Sequence, residues 1–330
     1  MNKVYIILLN FNGHSDTIEC LESLFKINYS NYQIIIIDNS NTLDSVTHII
    51  DWIQKGESEL ETYFSALVYP LVKKPLDFVF LSEDTFTSKK YDNKLLIVKA
   101  KKNKGFSAGN NIALRYILKY GEKNSFSWLL NNDTVVLKNT LRELIAYYTK
   151  SKKKLGILGA KLVCYNKPNR VQAIGGKFSK LFYMPFLIGE GIGINQVISN
   201  VDIDYAIGAS LFVSSEFLHN VGILSEDYFL YYEELDWSYR ASLLGWKTDL
   251  CFDAIVYHKE GKSIGTSSDH KKRSLFSQYH MFRSRRIFCS KYYKISFKFY
   301  LSTILISLNR LRHLNFSEFK IVINSLRKTP

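Results

Sequence analysis

Apolar residues open the chain as an unbroken run, Val4–Leu9, closed by the polar turn Asn10-Phe11-Asn12-Gly13. A run without alternation predicts a strand buried on both faces, as in a parallel sheet. Asp16-x-x-Glu19 then reads as a capping-box-like helix start, with Leu21, Leu24 and Phe25 as the apolar face at i, i+3, i+4. The rhythm repeats. Ile34–Ile37 predicts a second strand, ending at Asp38-Asn39-Ser40, with a helix over Thr42–Trp52. Leu95–Val98 predicts a third, followed by Gly105–Asn110 and a helix through about Tyr120. Trp128–Leu130 predicts a fourth, ending at Asn131-Asn132-Asp133-Thr134. Strands alternating with helices at this spacing predict right-handed βαβ units and an open α/β sheet. Such sheets bind ligands outside the carboxyl ends of their strands. Residues 55–94 break the rhythm and leave room for an extra hairpin or helix in Thr62–Val72 and Phe78–Leu81. Residues 156–212 read as mixed short strands and loops, and from about residue 270 the pattern is helical.

Composition excludes several classes. The 330 residues are 46% hydrophobic and 15% aromatic with only 5 Pro, which does not fit a disordered chain. The 4 Cys (Cys20, Cys164, Cys251, Cys289) are scattered without a CxxC, so a reducing compartment is the default and no disulfide scaffold is expected. No stretch reaches the roughly 18–20 apolar residues of a membrane-spanning helix. The amino-terminal run is too short for a signal peptide and reads as a strand and turn. Net charge is +14, and its distribution matters more than its size. From Lys271 to Lys328 there are 14 Lys and Arg against one acid, Glu318, a balance of +13; the rest of the chain is nearly neutral. One part of the molecule is therefore built to meet something anionic, or presents a solvated basic face.

Four constellations carry candidate chemistry. Asp38, at the end of the second strand, could accept hydrogen bonds from a ribose or an imide N–H, though Asp-Asn-Ser is also an ordinary turn. Gly105-Phe106-Ser107-Ala108-Gly109-Asn110-Asn111 lets backbone approach a ligand ahead of a helix, and equally suits a tight packing turn. Asn131-Asn132-Asp133 delivers one carboxylate to a strand end, where Mg²⁺ or Mn²⁺ takes oxygen ligands; the bland alternative is a cap for the helix at Thr140–Tyr148. The fourth, Tyr231-Tyr232-Glu233-Glu234-Leu235-Asp236 with Arg240 and a later His258, sets three carboxylates among aromatics. A partly desolvated carboxylate there has a raised pKa and can act as a general base. Arg240 can orient Asp236 at i,i+4, and His258 can complete a metal site.

These blocks, in this order, make residues 1–265 resemble glycosyltransferase family 2, of the GT-A (Rossmann-like) fold, near its rhamnosyltransferase-like branch. They are Leu9-Asn10-Phe11-Asn12-Gly13, Ile37-Asp38-Asn39-Ser40, Asn103-Lys104-Gly105-Phe106-Ser107-Ala108-Gly109-Asn110-Asn111, Leu130-Asn131-Asn132-Asp133-Thr134, Gly208-Ala209-Ser210, Glu233-Glu234-Leu235-Asp236 with Arg240, and His258. The resemblance implies a mixed sheet with helices on both faces, a nucleotide-binding half over about 1–135 and an acceptor half over about 136–265. It implies that Asn10, Asn12 and Asp38 hold the base and ribose, and that Asn103, Gly105 and Asn110 lie along the nucleotide. Asn131-Asn132-Asp133 stands where the family has a DxD-like motif, so Asp133 is the implied ligand of Mg²⁺ or Mn²⁺, with His258 as a second. Glu234 occupies the place of the usual base, one methylene longer than the family's Asp, with Asp236 as the fallback. The implied reaction is inverting transfer from a UDP- or dTDP-sugar to a glycan or lipid-linked glycan, in bacterial surface polysaccharide synthesis. Residues 55–94 are longer than the family's usual connection.

Residues 266–330 lie outside the resemblance. Phe297, Leu301, Ile304, Leu308 and Leu311 recur at helical spacing, with Lys291, Lys294, Lys298 and Arg312 largely off that line. This basic amphipathic pattern suits an anionic membrane surface, or a helix pair packed on the catalytic body or on a second copy in a homodimer. The expected location is cytoplasmic, peripheral to the inner face of the membrane. Two other classes compete. A sugar-nucleotide pyrophosphorylase shares an α/β sheet and Gly-rich loop but has no use for Glu234. A nucleic-acid binder would use the basic tail, but no aromatic–basic RNA motif is present, so no nucleic acid is expected.

Overall fold

Successive side chains of a strand point to opposite faces, and here both faces are dry. Val4, Ile6 and Leu8 enter one hydrophobic core, while Tyr5 and Ile7 enter the other. The sheet they belong to is seen in a computed structural model, which describes residues 1–56, 59–196, 201–259, 274–293 and 295–326. The first half of the chain runs β1 (Val4–Asn10), α1 (His14–Leu24), β2 (Tyr32–Asp38), α2 (Asp44–Lys55), α3 (Ser65–Val68), β3 (Phe78–Ser82), α4 (Glu83–Phe86), β4 (Leu95–Lys99), α5 (Phe106–Tyr120), β5 (Phe126–Asn131). The second half continues with β6 (Thr134–Val136), α6 (Thr140–Lys150), β7 (Leu155–Cys164), β8 (Val171–Ala173), β9 (Gly175–Ser179), β10 (Met184–Ile188), β11 (Ser210–Ser214), α7 (Ser215–Val221), α8 (Glu233–Leu243) and β12 (Lys247–His258). Three helices close it, α9 (Leu275–Tyr292), α10 (Phe297–Arg312) and α11 (Phe316–Asn324).

The main sheet has the order β3-β4-β2-β1-β5-β11-β7-β12-β6, with β8 beside β7; β9 and β10 form a separate hairpin. Strands β3, β4, β2, β1 and β5 are mutually parallel, whereas β11 runs antiparallel between β5 and β7. The sheet is therefore mixed, with α1, α2 and α6 supplying one core and α5, α7 and α8 the other. The chain leaves β1 toward β2 on one side and returns to pair β5 on the other. That reversal is a topological switch point, where a crevice opens beyond the carboxyl ends of the strands.

One sequence expectation is corrected. The Asp16/Glu19 capping box does not form: α1 starts after Gly13 with no side-chain cap. Both carboxylates instead take the Lys259 ammonium, at 2.6 and 2.5 Å, because a buried ion pair satisfies them better than backbone N–H groups near solvent. Of the hairpin or helix expected in residues 55–94, the helical alternative is present as the short α3, and the described residues there also contribute α4 and the edge strand β3, which is only half-buried and so lacks the strong apolar signal of the inner strands.

The expected junction near residue 265 lies outside the described residues. Beyond it, α9 is part of the body: Phe288 is fully buried, with Phe178, Tyr232, Tyr239 and Tyr293 around it at ring distances of 5.2 to 6.0 Å. Phe288→Ala removes the centre of that cluster and should cost about 3–5 kcal/mol of stability. Urea unfolding is expected to stay a single transition at lower midpoint; a new early transition with the main one unmoved would show that α9 is an independent appendage.

Candidate active site

The crevice holds a cavity of about 360 Å³ lined by loops that leave parallel strands. Leu9 and Phe11 come from the end of β1, Asn39 from β2, Asn103, Gly105 and Phe106 from the turn after β4, and Asn131, Asn132 and Asp133 from β5. Phe229, Leu230 and Phe276 close the other side. The strand-end side thus sets asparagines and one carboxylate among Leu9, Phe11 and Phe106, and the facing side is apolar, a small-molecule pocket with convergent polar groups.

Gly105 makes the turn possible. Its φ is +93°, and a Cβ there would stand 2.1 Å from the Phe229 carbonyl oxygen. The close approach lets Phe106 N–H donate to that same oxygen at 2.9 Å, tying the Gly-rich turn to the opposite wall. Asn103 Oδ1 accepts from Gly105 N–H at 2.9 Å and from Asn39 Nδ2 at 2.8 Å, so two lining asparagines hold each other.

Three expected nucleotide contacts are used up inside the protein. Asp38 is fully buried: Oδ1 accepts from Asn10 Nδ2 and Ser40 Oγ, each at 2.7 Å, and Oδ2 faces the Lys99 ammonium at 2.8 Å. Register explains it, because Asp38 sits between Asn10 and Lys99 on adjacent strands. Asn10 is likewise enclosed, and Asn110 Nδ2 donates back to Phe106 O within its helix. None of the three lines the cavity; Asn39, one residue beyond Asp38, does. Asn12 is exposed at φ +53° in the turn after β1.

Asp133 and His258 do meet. β12 pairs β6 with His258 opposite Thr134, which brings Nε2 to 3.2 Å from Asp133 Oδ1. Asn131 Nδ2 lies 3.3 Å from the same nitrogen. The Asp133 loop is pinned by Lys259 N–H donating to its carbonyl at 3.0 Å. Sequence reading missed Gln172 on β8, whose Oε1 is 2.9 Å from His258 Nδ1. With Gln172 Oε1 accepting, Nδ1 carries a proton, and Nε2 is the nitrogen that faces Asp133 and could serve a metal. A ring nitrogen and a carboxylate converging this closely fit a divalent cation, with the outer partner orienting the ring as in metal sites. Among the described residues no three metal-ligating side chains cluster, so the other positions would fall to diphosphate oxygens and water.

The acidic motif opens α8. Its entry is strained: Tyr231 and Tyr232 both take left-handed backbone, at φ +66° and +72°, each at roughly 1–2 kcal/mol. Tyr232 OH donating to Tyr183 O at 3.0 Å and the Tyr231–Ser277 hydroxyl pair hold the turn. Glu233 is buried, and desolvation followed by the neighbouring Glu234 charge pushes it well above the usual carboxylate range. Burial pushes Glu234, partly exposed, up to about 7. Glu234 is not a lining residue. The absent side chain of Gly208 leaves a gap there: a Cβ on it would be 3.9 Å from the Glu234 carboxyl carbon and 4.0 Å from the Phe106 ring.

Asp236 is not an alternative base. It is fully buried and accepts from Arg240 Nε at 2.7 Å, Tyr292 OH at 2.7 Å and Tyr228 OH at 3.1 Å, with Lys291 Nζ at 3.3 Å. Three of these donors sit on Oδ2 and Arg240 holds Oδ1, so the enclosed, ion-paired carboxylate binds α8 to α9.

No protein-family model matches the chain. Over 143 residues, 42% of this chain, it is 31% identical to the low-salt glycan biosynthesis hexosyltransferase Agl10 of Haloferax volcanii, and it spans 43% of that protein's length. Among solved structures, the mannosyltransferase PcManGT of Pyrobaculum calidifontis, in complex with GDP-Man and Mn²⁺, is similar over 98% of this chain and 74% of its own, with TM-score 0.53 at 12% identity. S. aureus TarS 1–349 in complex with UDP-GlcNAc is similar over 95% and 73%, with TM-score 0.51 at 13% identity. GalNAc-T7 with UDP, GalNAc and Mn²⁺ reaches TM-score 0.58 over 97% and 54%, at 11% identity. At these identities the likeness establishes the fold: the chain has the GT-A-like architecture of glycosyltransferases.

Gln172 yields a direct test. Gln172→Ala frees the His258 ring and should weaken Mn²⁺ binding about 10–100-fold, measured by Mn²⁺ titration followed by electron paramagnetic resonance. Unchanged affinity would remove His258 from the site.

Proposed function

We propose that the protein is an inverting, divalent-metal-dependent glycosyltransferase of the family 2 type. It moves a hexosyl or deoxyhexosyl group, rhamnose-like sugars included, from a UDP- or dTDP-sugar to a glycan or lipid-linked glycan acceptor. The observation that carries this reading is the Asp133–His258 pair at 3.2 Å beside a cavity at the switch point, with Glu234, a carboxylate of raised pKa, near the lining residue Phe106 where Gly208 leaves room. The 31% identity to a hexosyltransferase of glycan biosynthesis supports it, as do Mn²⁺ and nucleotide sugars in structures of this fold. Synthesis of a surface polysaccharide at the cytoplasmic side of a membrane is the setting that fits.

The division of labour follows from the residues. Asn39 and Asn103 offer amide groups along the nucleotide, in place of the enclosed Asp38. Asp133 and His258 would hold the metal, which when bound neutralises charge on the diphosphate leaving group. The acceptor hydroxyl oxygen bonds to the anomeric carbon from the face opposite the departing diphosphate oxygen, so configuration inverts and no protein nucleophile is needed. Glu234 takes the hydroxyl proton. Its raised pKa makes it a better proton acceptor than an ordinary carboxylate, and the phenylalanine wall excludes water that would compete with the acceptor.

The test is transfer from a panel of nucleotide sugars by wild type and Glu234→Gln. The variant should lose about 10²–10⁴-fold in kcat while still binding donor. The base must be ionised to act, so wild-type kcat should rise with pH through about 7 and then level. A fully active Glu234→Gln protein would favour a sugar-nucleotide pyrophosphorylase and overturn the assignment.

A further inference from the structure

α10 is inside out. Its inward face is Phe299 with Ser302, Thr303 and Ser307, all buried. The hydroxyls serve a buried cation: Arg285 of α9 donates to Thr303 Oγ1 at 2.8 Å and Ser302 Oγ at 2.7 Å, and its guanidinium lies 4.4 Å from the Phe299 ring centroid. The outward face is Phe297, Leu301, Ile304, Leu305 and Leu308, spaced i, i+4, i+7, i+8, i+11, hence one stripe. Phe297 is 78% exposed and Leu308 53%. The stripe continues into the next turn through exposed Leu314 and Phe316. A helix meeting only water would be turned the other way.

Charge identifies what covers this face. α10 carries no acid, and Lys298 and Arg312, both exposed, flank the stripe. Glu318, the one acid from residue 271 onward, is buried and faces Arg310 at 3.1 Å. A second copy of the chain would bring the same positive charge against this one, whereas an anionic lipid surface complements both stripe and flanks. Among the described residues no helix is long and apolar enough to cross a membrane, so the contact is in the interfacial plane.

We propose that the outward face of α10 docks on an anionic lipid bilayer, with the helix lying among the headgroups. The same helical unit supplies Phe276 to the cavity wall, so docking sets the active site beside the membrane and makes a lipid-linked acceptor the fitting substrate class. That last clause rests on the transferase reading; the docking itself does not.

The experiment is flotation of the full chain with phosphatidylcholine vesicles and with equal-part phosphatidylcholine–phosphatidylglycerol vesicles. Wild type should float with the anionic vesicles only, less so as salt rises. Leu301→Glu/Leu305→Glu, at exposed positions, should weaken vesicle binding at least about tenfold with unchanged thermal unfolding and unchanged Mn²⁺-dependent nucleotide binding. Lys298→Glu/Arg312→Glu should weaken it about tenfold or more. Equal flotation of the Leu double variant would overturn the proposal. So would a wild-type dimer in size-exclusion chromatography that ignores vesicles and becomes monomeric in that variant. Vesicle binding without nucleotide binding would leave the docking standing and sink the transferase reading instead.

Discussion

Asn10 holds the floor of the site together. Fully buried, it donates to Asp38 Oδ1 at 2.7 Å and Ser45 Oγ at 2.9 Å. Its Oδ1 accepts from Gly13 N–H at 3.2 Å, Thr17 Oγ1 at 3.1 Å and Asn132 Nδ2 at 3.4 Å. One amide therefore ties the ends of β1, β2 and β5 to α1 and α2. Every buried polar group needs a partner, and five neighbours find theirs here. Asn132 is spent in this node, and its neighbours Asn131 and Asp133 line the cavity beside it.

Environment then sorts the carboxylates into different jobs. Asp38 is neutralised by Lys99 and Asp236 by Arg240 and Lys291, so both are structural. Asp133 meets a histidine whose outer nitrogen is fixed by Gln172. Among the described residues no cation is paired with Glu234, and burial raises its proton affinity. In the proposed reading, groups of one chemical type thus serve as scaffold, ligand and base according to what surrounds them.

The inner strands were legible because unbroken apolar runs such as Val4–Leu9 and Ile34–Ile37 have one physical meaning when buried on both faces. The blocks at their carboxyl ends were legible as a group, since topology gathers strand ends whatever their side chains do. Individual roles were not. Asp38 and Lys99 are 61 residues apart and meet only through strand register. Gln172 lies 86 residues from His258 in an ordinary short strand, and its meaning depends on β8, β7 and β12 pairing in that order. Periodicity announced an apolar stripe on α10 without saying which way it faces; that was decided by the need of Arg285 for hydroxyl partners.

The account stands on Asp133 and His258 joining the cavity to a diphosphate through a metal. Calorimetric titration of UDP, dTDP and GDP into wild type and Asp133→Ala, with and without Mn²⁺, tests it most directly. The account predicts that at least one nucleoside diphosphate binds wild type tightly only with Mn²⁺, and that Asp133→Ala removes the metal dependence. Equal affinity with and without metal, or an unaltered Asp133→Ala protein, would contradict it.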